Sequence, residues 1–340
     1  MSNSTVAIVI SLLAPFTRAQ SAVYVDDDAP SGGTGASWSS AYRFLQDAVN
    51  ASAPGSTILV AGGLYRPDQG SGVNLLDRNA SIRPKSGMSI VGGYRGLAAG
   101  GAPDDRDFAA FATIVDGDLA QNGVLSPGDD SFHVFFSTAG ATAVALDGMT
   151  LRFGNAGSYG TDENHGGGVL QTSGTLQLSN LRIEHCRAFE GGCVYFTGSS
   201  FHMNDCVLTD PIAVTLGAGV RLINTVAVIE RLTCAGDTSS YTGNFICQQG
   251  GSLAARNCRF AQAYWPYVGC GISVANAIAV IEDCEFDSLV AGGYGGGLYA
   301  TLTDLEVRRC TFRACMSQAE GSGLMSGGCL STIEDCVFEL

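Results

Sequence analysis

The feature that most restricts how this chain can fold is a period of 26 residues that runs from about Gly168 to the last residue. Leu181, Cys206, Leu232, Cys258, Cys284, Cys310 and Cys336 follow one another in one step of 25 and then steps of 26. Two residues further on runs a second apolar column, Ile183, Leu208, Cys234, Phe260, Phe286, Phe312 and Phe338. Twelve residues before the first runs a third, Val169, Val194, Val220, Ile246, Ile272, Leu298 and Leu324. A fixed period of this length marks stacked units, none of which can bury its apolar face alone. Each unit holds short strand-like pieces, such as residues 279–281 and 284–286, between Gly-rich turns, with no room for an amphipathic helix. The expected fold is therefore all-β, a single-stranded right-handed parallel β-helix with about 26 residues per coil. Three short strands and three turns fill each coil, and an N-terminal helix caps the rod.

The polar positions support the same stacking. Just before the Cys/Leu column, successive coils place Glu230, Arg256, Glu282, Arg308 and Glu334 at one position. The next position carries Asp205, Arg231, Asn257, Asp283, Arg309 and Asp335. Stacked in register, opposite charges mostly meet one coil apart, each such pair contributing about 0.2–1 kcal/mol. Two adjacent polar positions between apolar alternations also mark a corner whose side chains point outward.

Length alone suggests two domains, but a solenoid grows in one dimension and escapes that estimate. Charged residues make up 15% and glycine 46 of 340 positions, which suits a turn-rich β protein. The net charge is −14 and Lys85 is the single lysine. Phosphate recognition needs clustered Lys and Arg, so nucleic acid and anionic membrane surfaces are not expected partners.

Residues 6–16 form an apolar run too short to span a bilayer, followed by small residues, as in a secretory signal peptide. The expected division is a leader (1–22), a strand–helix–strand cap (23–67), irregular first coils with long loops (68–145), and regular coils (146–340). The cap helix is expected over residues 37–52, with Ser37 at its start, Trp38, Ala41, Leu45, Ala48 and Val49 on one face, and Pro54-Gly55 beyond its end. The chain stops at Leu340 within a coil, where a continuation or a partner is expected.

Several segments resemble a known family. Tyr24-Val25-Asp26, Gly35-x-Ser37-Trp38-x-x-Ala41-Tyr42, Leu45-Gln46-Asp47-Ala48 and Val60-Ala61-x-Gly63-x-Tyr65-x-Pro67 are similar to the N-terminal cap of secreted, planctomycete-type bacterial β-helix repeat proteins of the pectin-lyase-like superfamily. Ser89-Ile90-Val91-Gly92-Gly93-Tyr94, Ile114-Val115-Asp116-Gly117-Asp118 and Leu146-Asp147-Gly148-Met149-Thr150 continue that pattern. The resemblance implies a secreted or cell-surface location and a polysaccharide or surface component as partner. It specifies architecture, not activity, since the superfamily holds lyases, hydrolases and adhesins. Gly166-Gly167-Gly168-Val169 and Gly295-Gly296-Gly297-Leu298 also resemble the repeats of polymorphic outer-membrane proteins, which implies adhesion.

All 12 cysteines lie between Cys186 and Cys336. Those in the inward columns are expected to be free thiols, because side chains one coil apart point in parallel. Cys186, Cys193, Cys247, Cys270, Cys315 and Cys329 fall nearer turns, where pairing is open. Zinc is not expected, as no CxxC occurs. The acidic loops at 104–107, 116–118 and 129–130 suit either calcium or ordinary turns.

No set of catalytic residues stands out. Lys85 precedes the regular coils, so a lyase base would be an arginine: Arg152, Arg182, Arg187, Arg221 or Arg231. The Asp and His fragments near Asp129, His133 and His165 do not form a hydrolase set. By register His165 lies level with Glu190, Asp162 with Arg187, and His185 with Asp210. These six residues form the candidate ligand-contact patch. The reading is a binding or structural module, adhesin-like or glycan-contacting, with a polysaccharide lyase or glycoside hydrolase as the alternative.

Overall fold

The computed structural model describes residues 22–126, 128–137, 141–157, 164–236 and 244–340. The expected leader lies outside this range but for its last residue, and so does Asp162. The chain winds as a right-handed parallel β-helix. One line of strands starts with Ala22–Val25, Thr57–Ala61, Ser89–Tyr94 and Ala143–Asp147 and continues to Leu330–Glu334. A second starts with Phe135–Ser137 and Val169–Gln171 and continues to Leu324–Gly327. The long strands Val220–Glu230 and Ile246–Arg256 belong to both and join them into one sheet. A second sheet runs from Gly63–Tyr65 through Thr113–Asp116 and Thr150–Arg152 to Val337–Glu339. A short third sheet, Asn155–Ala156, Arg187–Glu190 and Ile212–Leu216, forms a further lateral face.

The columns stack as the period requires. Val169 pairs with Val194, then Val220, Ile246, Ile272, Leu298 and Leu324. Ile183, Leu208, Cys234, Phe260, Phe286, Phe312 and Phe338 follow one another in the second sheet. Their rings form a continuous stack, with centroids 5.2, 4.6 and 4.8 Å apart from Phe260 to Phe338. Inward residues of all faces fill a single core along the axis.

Among the described residues the regular coils turn at four corners rather than the expected three. At most of them a single residue takes the left-handed conformation. Asn180, Asp205, Arg231, Asn257, Asp283, Arg309 and Asp335 form one line of corners, with φ between 50° and 54°. Asn224, Gly250, Asn276, Leu302 and Gly328 form another. The remaining two pass through Gly191, Gly217, Gly269, Gly295 and Gly321, and through His185, Asp210, Gln262, Ser288 and Ala314. A one-residue corner takes so little chain that a fourth short strand fits where three short strands and three turns were expected. Asn and Asp suit it because their short side chains tolerate this conformation.

The outward charges at the first corner pair along the axis. Arg256 reaches Glu282 at 2.9 Å and Glu230 at 3.9 Å, while Arg308 reaches Glu334 at 3.1 Å and Glu282 at 3.6 Å. In the neighbouring column Arg231 holds Asp205, and Arg309 holds Asp283, both at 2.7 Å. Arginine is an unusual left-handed residue, and here the bidentate carboxylate one coil away accompanies it.

The cap differs from the expected helix. Residues 37–52 split into a single 3-10 turn, Trp38–Ser40, and a seven-residue α-helix, Leu45–Ala51. Ser37 does not cap the α-helix, whose N-cap is Phe44. The break follows from Tyr42, which exchanges backbone hydrogen bonds with Tyr24 and Asp26 at 2.9 Å each and is held extended beside Val25. Sheet pairing thus overrides helical periodicity. The helix still lays Leu45, Ala48 and Val49 into the core against the first two strands.

The step of 25 is absorbed at one place. Arg187 and Ala188 pair with Ile212 and Ala213, 25 residues on, but Glu190 pairs with Leu216, 26 on. The irregularity falls on the third sheet, and the other faces keep uninterrupted register there.

Candidate functional site

The five described candidate residues fall near the lateral face carrying the third sheet, but they do different things. His165 bridges to Glu190 in parallel register, and its ring lies 4.4 Å from that of Tyr195. Glu190 is occupied by Arg221, whose Nε donates to Oε2 at 3.1 Å. Arg221 is only 4% exposed; its other donors reach Gln249 Oε1 at 2.8 Å and Cys247 Sγ at 3.3 Å. His185 and Asp210 are consecutive corner residues with Nδ1 and Oδ2 3.7 Å apart, and Phe153 of the preceding coil stacks on His185. Asp162 lies outside the described residues, so its level with Arg187 has no structural counterpart here.

Arg187 stands apart from these pairs. It lies between Asn155 and Ile212 on the third sheet, and among the described residues its Nε is buried without a hydrogen-bond partner. It lines a groove of about 630 Å³ with Ile212, Ala213, Val214, Trp265, Pro266 and Tyr267. Trp265 is enclosed at 1% exposure, its Nε1 without a partner among the described residues, whereas Tyr267 is 62% exposed and meets Trp265 edge-on at 5.3 Å. Residues 237–243, between the two walls in sequence, lie outside the described residues. The aromatic wall was missed from the sequence because 264–267 breaks the inward and outward alternation. The run Tyr264-Trp265-Pro266-Tyr267, holding one of only two tryptophans, was the available signal.

At its N-terminal end the same face meets the acidic loops. Asn155 is buried and donates to Asp130 Oδ2 at 3.5 Å. Burial pushes the Asp130 carboxyl up to about 7 against the backbone donor of Ser126, with Asp129 and Asp118 adding repulsion. Burial likewise pushes His133 down to about 4, although Nδ1 contacts the carbonyl of Gly166 at 3.0 Å. Asp130 is fully enclosed and His133 3% exposed, so neither meets solvent directly. The loop at 104–107 uses its carboxylates for turns and pairs. Asp104 accepts from Trp38 Nε1, Asp105 pairs with Arg95, and Asp107 accepts from the amides of Ala109 and Ala110.

All 12 cysteines are free, including those placed near turns. Cys206, Cys258, Cys284 and Cys310 point inward and are buried, each thiol donating to the carbonyl two residues before it at 3.2–3.3 Å. Burial pushes Cys186 and Cys206 up to about 12, which keeps them as inert thiols.

These features place the chain in the class of parallel β-helix proteins with an irregular, loop-bearing N-terminal half. No protein-family model matches the chain, and no curated protein matches it. Among solved structures it is similar to a rhamnogalacturonan lyase, with 13% identity and a TM-score of 0.41 over 90% of this chain and 84% of that one. It is similar to pectin methylesterase PemA from Erwinia chrysanthemi, with 9% identity and a TM-score of 0.41 over 83% and 88%. A third likeness is to ORF18 of Geobacillus virus E2, with 14% identity and a TM-score of 0.39 over 92% and 62%. The likeness is one of fold and carries no residue correspondence. No helix of the described residues is long and apolar enough to cross a membrane.

Proposed function

We propose that this protein is a glycan-contacting β-helix module, secreted or displayed at a cell surface, whose ligand lies along the face from Asn155 to Tyr267. The observation that carries this reading is the groove itself. An exposed Tyr267 ring lines it together with Arg187, whose guanidinium has no carboxylate partner among the described residues. Sugar rings present apolar faces that pack on aromatic surfaces, and their oxygens accept from a guanidinium. A glycan array with the purified chain identifies the ligand, and calorimetric titration then measures it. Tyr267→Ala and Arg187→Ala are each expected to weaken binding at least about tenfold, or about 1.4 kcal/mol, with the melting midpoint unchanged. Absence of binding to any glycan by the wild-type chain would sink the reading.

A polysaccharide lyase is the second reading, and Arg187 is the observation that favours it. Of the five arginines considered as bases, Arg152 pairs with Asp116, Arg182 with Glu184, Arg221 with Glu190 and Arg231 with Asp205. Arg187 alone among them has no carboxylate partner within the described residues. Release of unsaturated, ultraviolet-absorbing ends from a uronan by the wild type, and not by Arg187→Ala, would replace the binding reading with this one. A hydrolase is less well supported, because Asp130 has an acid's elevated pKa but is enclosed beyond reach of a polymer.

A further inference from the structure

Most carboxylates in this molecule are accounted for by arginines or by backbone amides; three in the first irregular coils are accounted for only by half. Asp118 Oδ2 accepts from the amide of Gly123 at 2.6 Å, Asp129 Oδ2 from Asn122 Nδ2 at 2.6 Å, and Asp130 Oδ2 from the amide of Ser126. The other oxygen of each, Oδ1 in all three, is buried and has no donor among the described residues. Asp118 is 2% exposed and Asp130 is fully enclosed. A carboxylate only accepts, so a buried oxygen without a donor costs far more than a buried hydroxyl without one. Among the described residues no cation is paired with these three carboxylates. Arg152 is committed to Asp116, and Arg78 directs Nε and Nη2 to the main-chain oxygens of Asp130 and Asn155.

We propose that Asp118, Asp129 and Asp130 hold one calcium ion, as carboxylate ligands through their Oδ1 atoms. Calcium takes six to eight oxygens at about 2.3–2.6 Å in a flexible shell, and acceptor-only side chains suit it. Asp118 and Asp130 are already opposite one another across an antiparallel bridge, which closes the loop at its base. Among the described residues only Asp26, Asp27 and Asp28 bring three such ligand atoms within 4.8 Å of one another. That trio is not the better site, because Asp26 gives its oxygens to the amides of Asp28 and Leu97 and Asp27 gives one to Leu64. The ligand atoms of the loop trio stand further apart than 4.8 Å, and closing them to coordination distance is the change that binding would bring. Magnesium, which demands a tighter octahedron, fits such a loop less well.

The proposal is independent of what the groove binds. Its test is calorimetric titration of the chelator-treated full chain with calcium chloride, beside thermal melts in calcium, magnesium and EDTA. One calcium per chain is expected, with a Kd of about 1 mM or tighter and a melting midpoint raised by calcium and not by magnesium. Asp118→Asn and Asp130→Asn should weaken binding at least tenfold while Asp28→Asn leaves it unchanged. Asp129 is only partly buried, so Asp129→Asn serves where a buried substitution prevents folding, and it too should weaken binding. The proposal fails if the wild type neither takes up calcium nor melts higher with it. It also fails if magnesium acts equally, or if Asp28→Asn abolishes binding that the loop substitutions leave intact.

Discussion

Asp130 and His133, three residues apart, are buried with opposite thermodynamic consequences. In the fold Asp130 keeps a proton that the unfolded chain has lost, so its contribution is fully present below about pH 4 and is lost as pH rises through about 7. His133 stays neutral where the unfolded chain is charged, so its contribution is present above about 6.5 and lost as pH falls through about 4. Between these limits the two slopes oppose one another, and near neutrality only that of Asp130 remains. In EDTA, urea midpoints of the wild type should therefore fall between about pH 6.5 and 8. Asp130→Asn should abolish that fall, and His133→Gln should extend it down towards about pH 4. A wild-type profile that Asp130→Asn does not alter would contradict the assignment. Neither shift was legible in the sequence, where both residues were only weak catalytic fragments. Their enclosure depends on Arg78, Asn155 and Gly166, contributed by distant coils.

The elements were legible to different depths. The apolar columns and the alternation of Glu230, Arg256, Glu282, Arg308 and Glu334 gave strand register to the residue, because a fixed period leaves only one stacking. The corners were half legible: Asn and Asp at 180, 205, 257, 283 and 335 signal turns, but Arg231 and Arg309 in the same conformation do not. The cap helix was misjudged because Tyr42 answers to Tyr24, a partner that local periodicity cannot reveal. The groove was hidden for a related reason, since Arg187 and Trp265 meet only through the winding. At the corners, Asn257→Ala should cost about 1–2 kcal/mol, since a Cβ-bearing residue without a local polar group is disfavoured at positive φ. Asn257→Gly should be close to neutral. Equal denaturation midpoints for the two variants would argue against the left-handed corner.

At the scale of the whole molecule, coils touch only their neighbours, so stability is a sum over adjacent contacts and opening need not be all-or-none. The thiols report on this directly. Ten of the twelve are buried, while Cys329 and Cys336, in the last coil, are partly exposed. Under native conditions an aromatic disulfide reagent should modify these two and no others. At rising urea, Cys310 and Cys315 should follow before Cys186 and Cys193. Simultaneous modification of all twelve would show a single cooperative unit instead.

The place where the repeat lengthens from 25 to 26 residues has its own consequence for how such a chain can change over time. Because Ala188 and Glu190 absorb the difference within one short strand pair, three walls of the rod are insulated from additions or losses made on the fourth. Variation in length can then accumulate beside Arg187 without disturbing the charge columns or the ring stack. The wall most open to remodelling is the one that carries the groove.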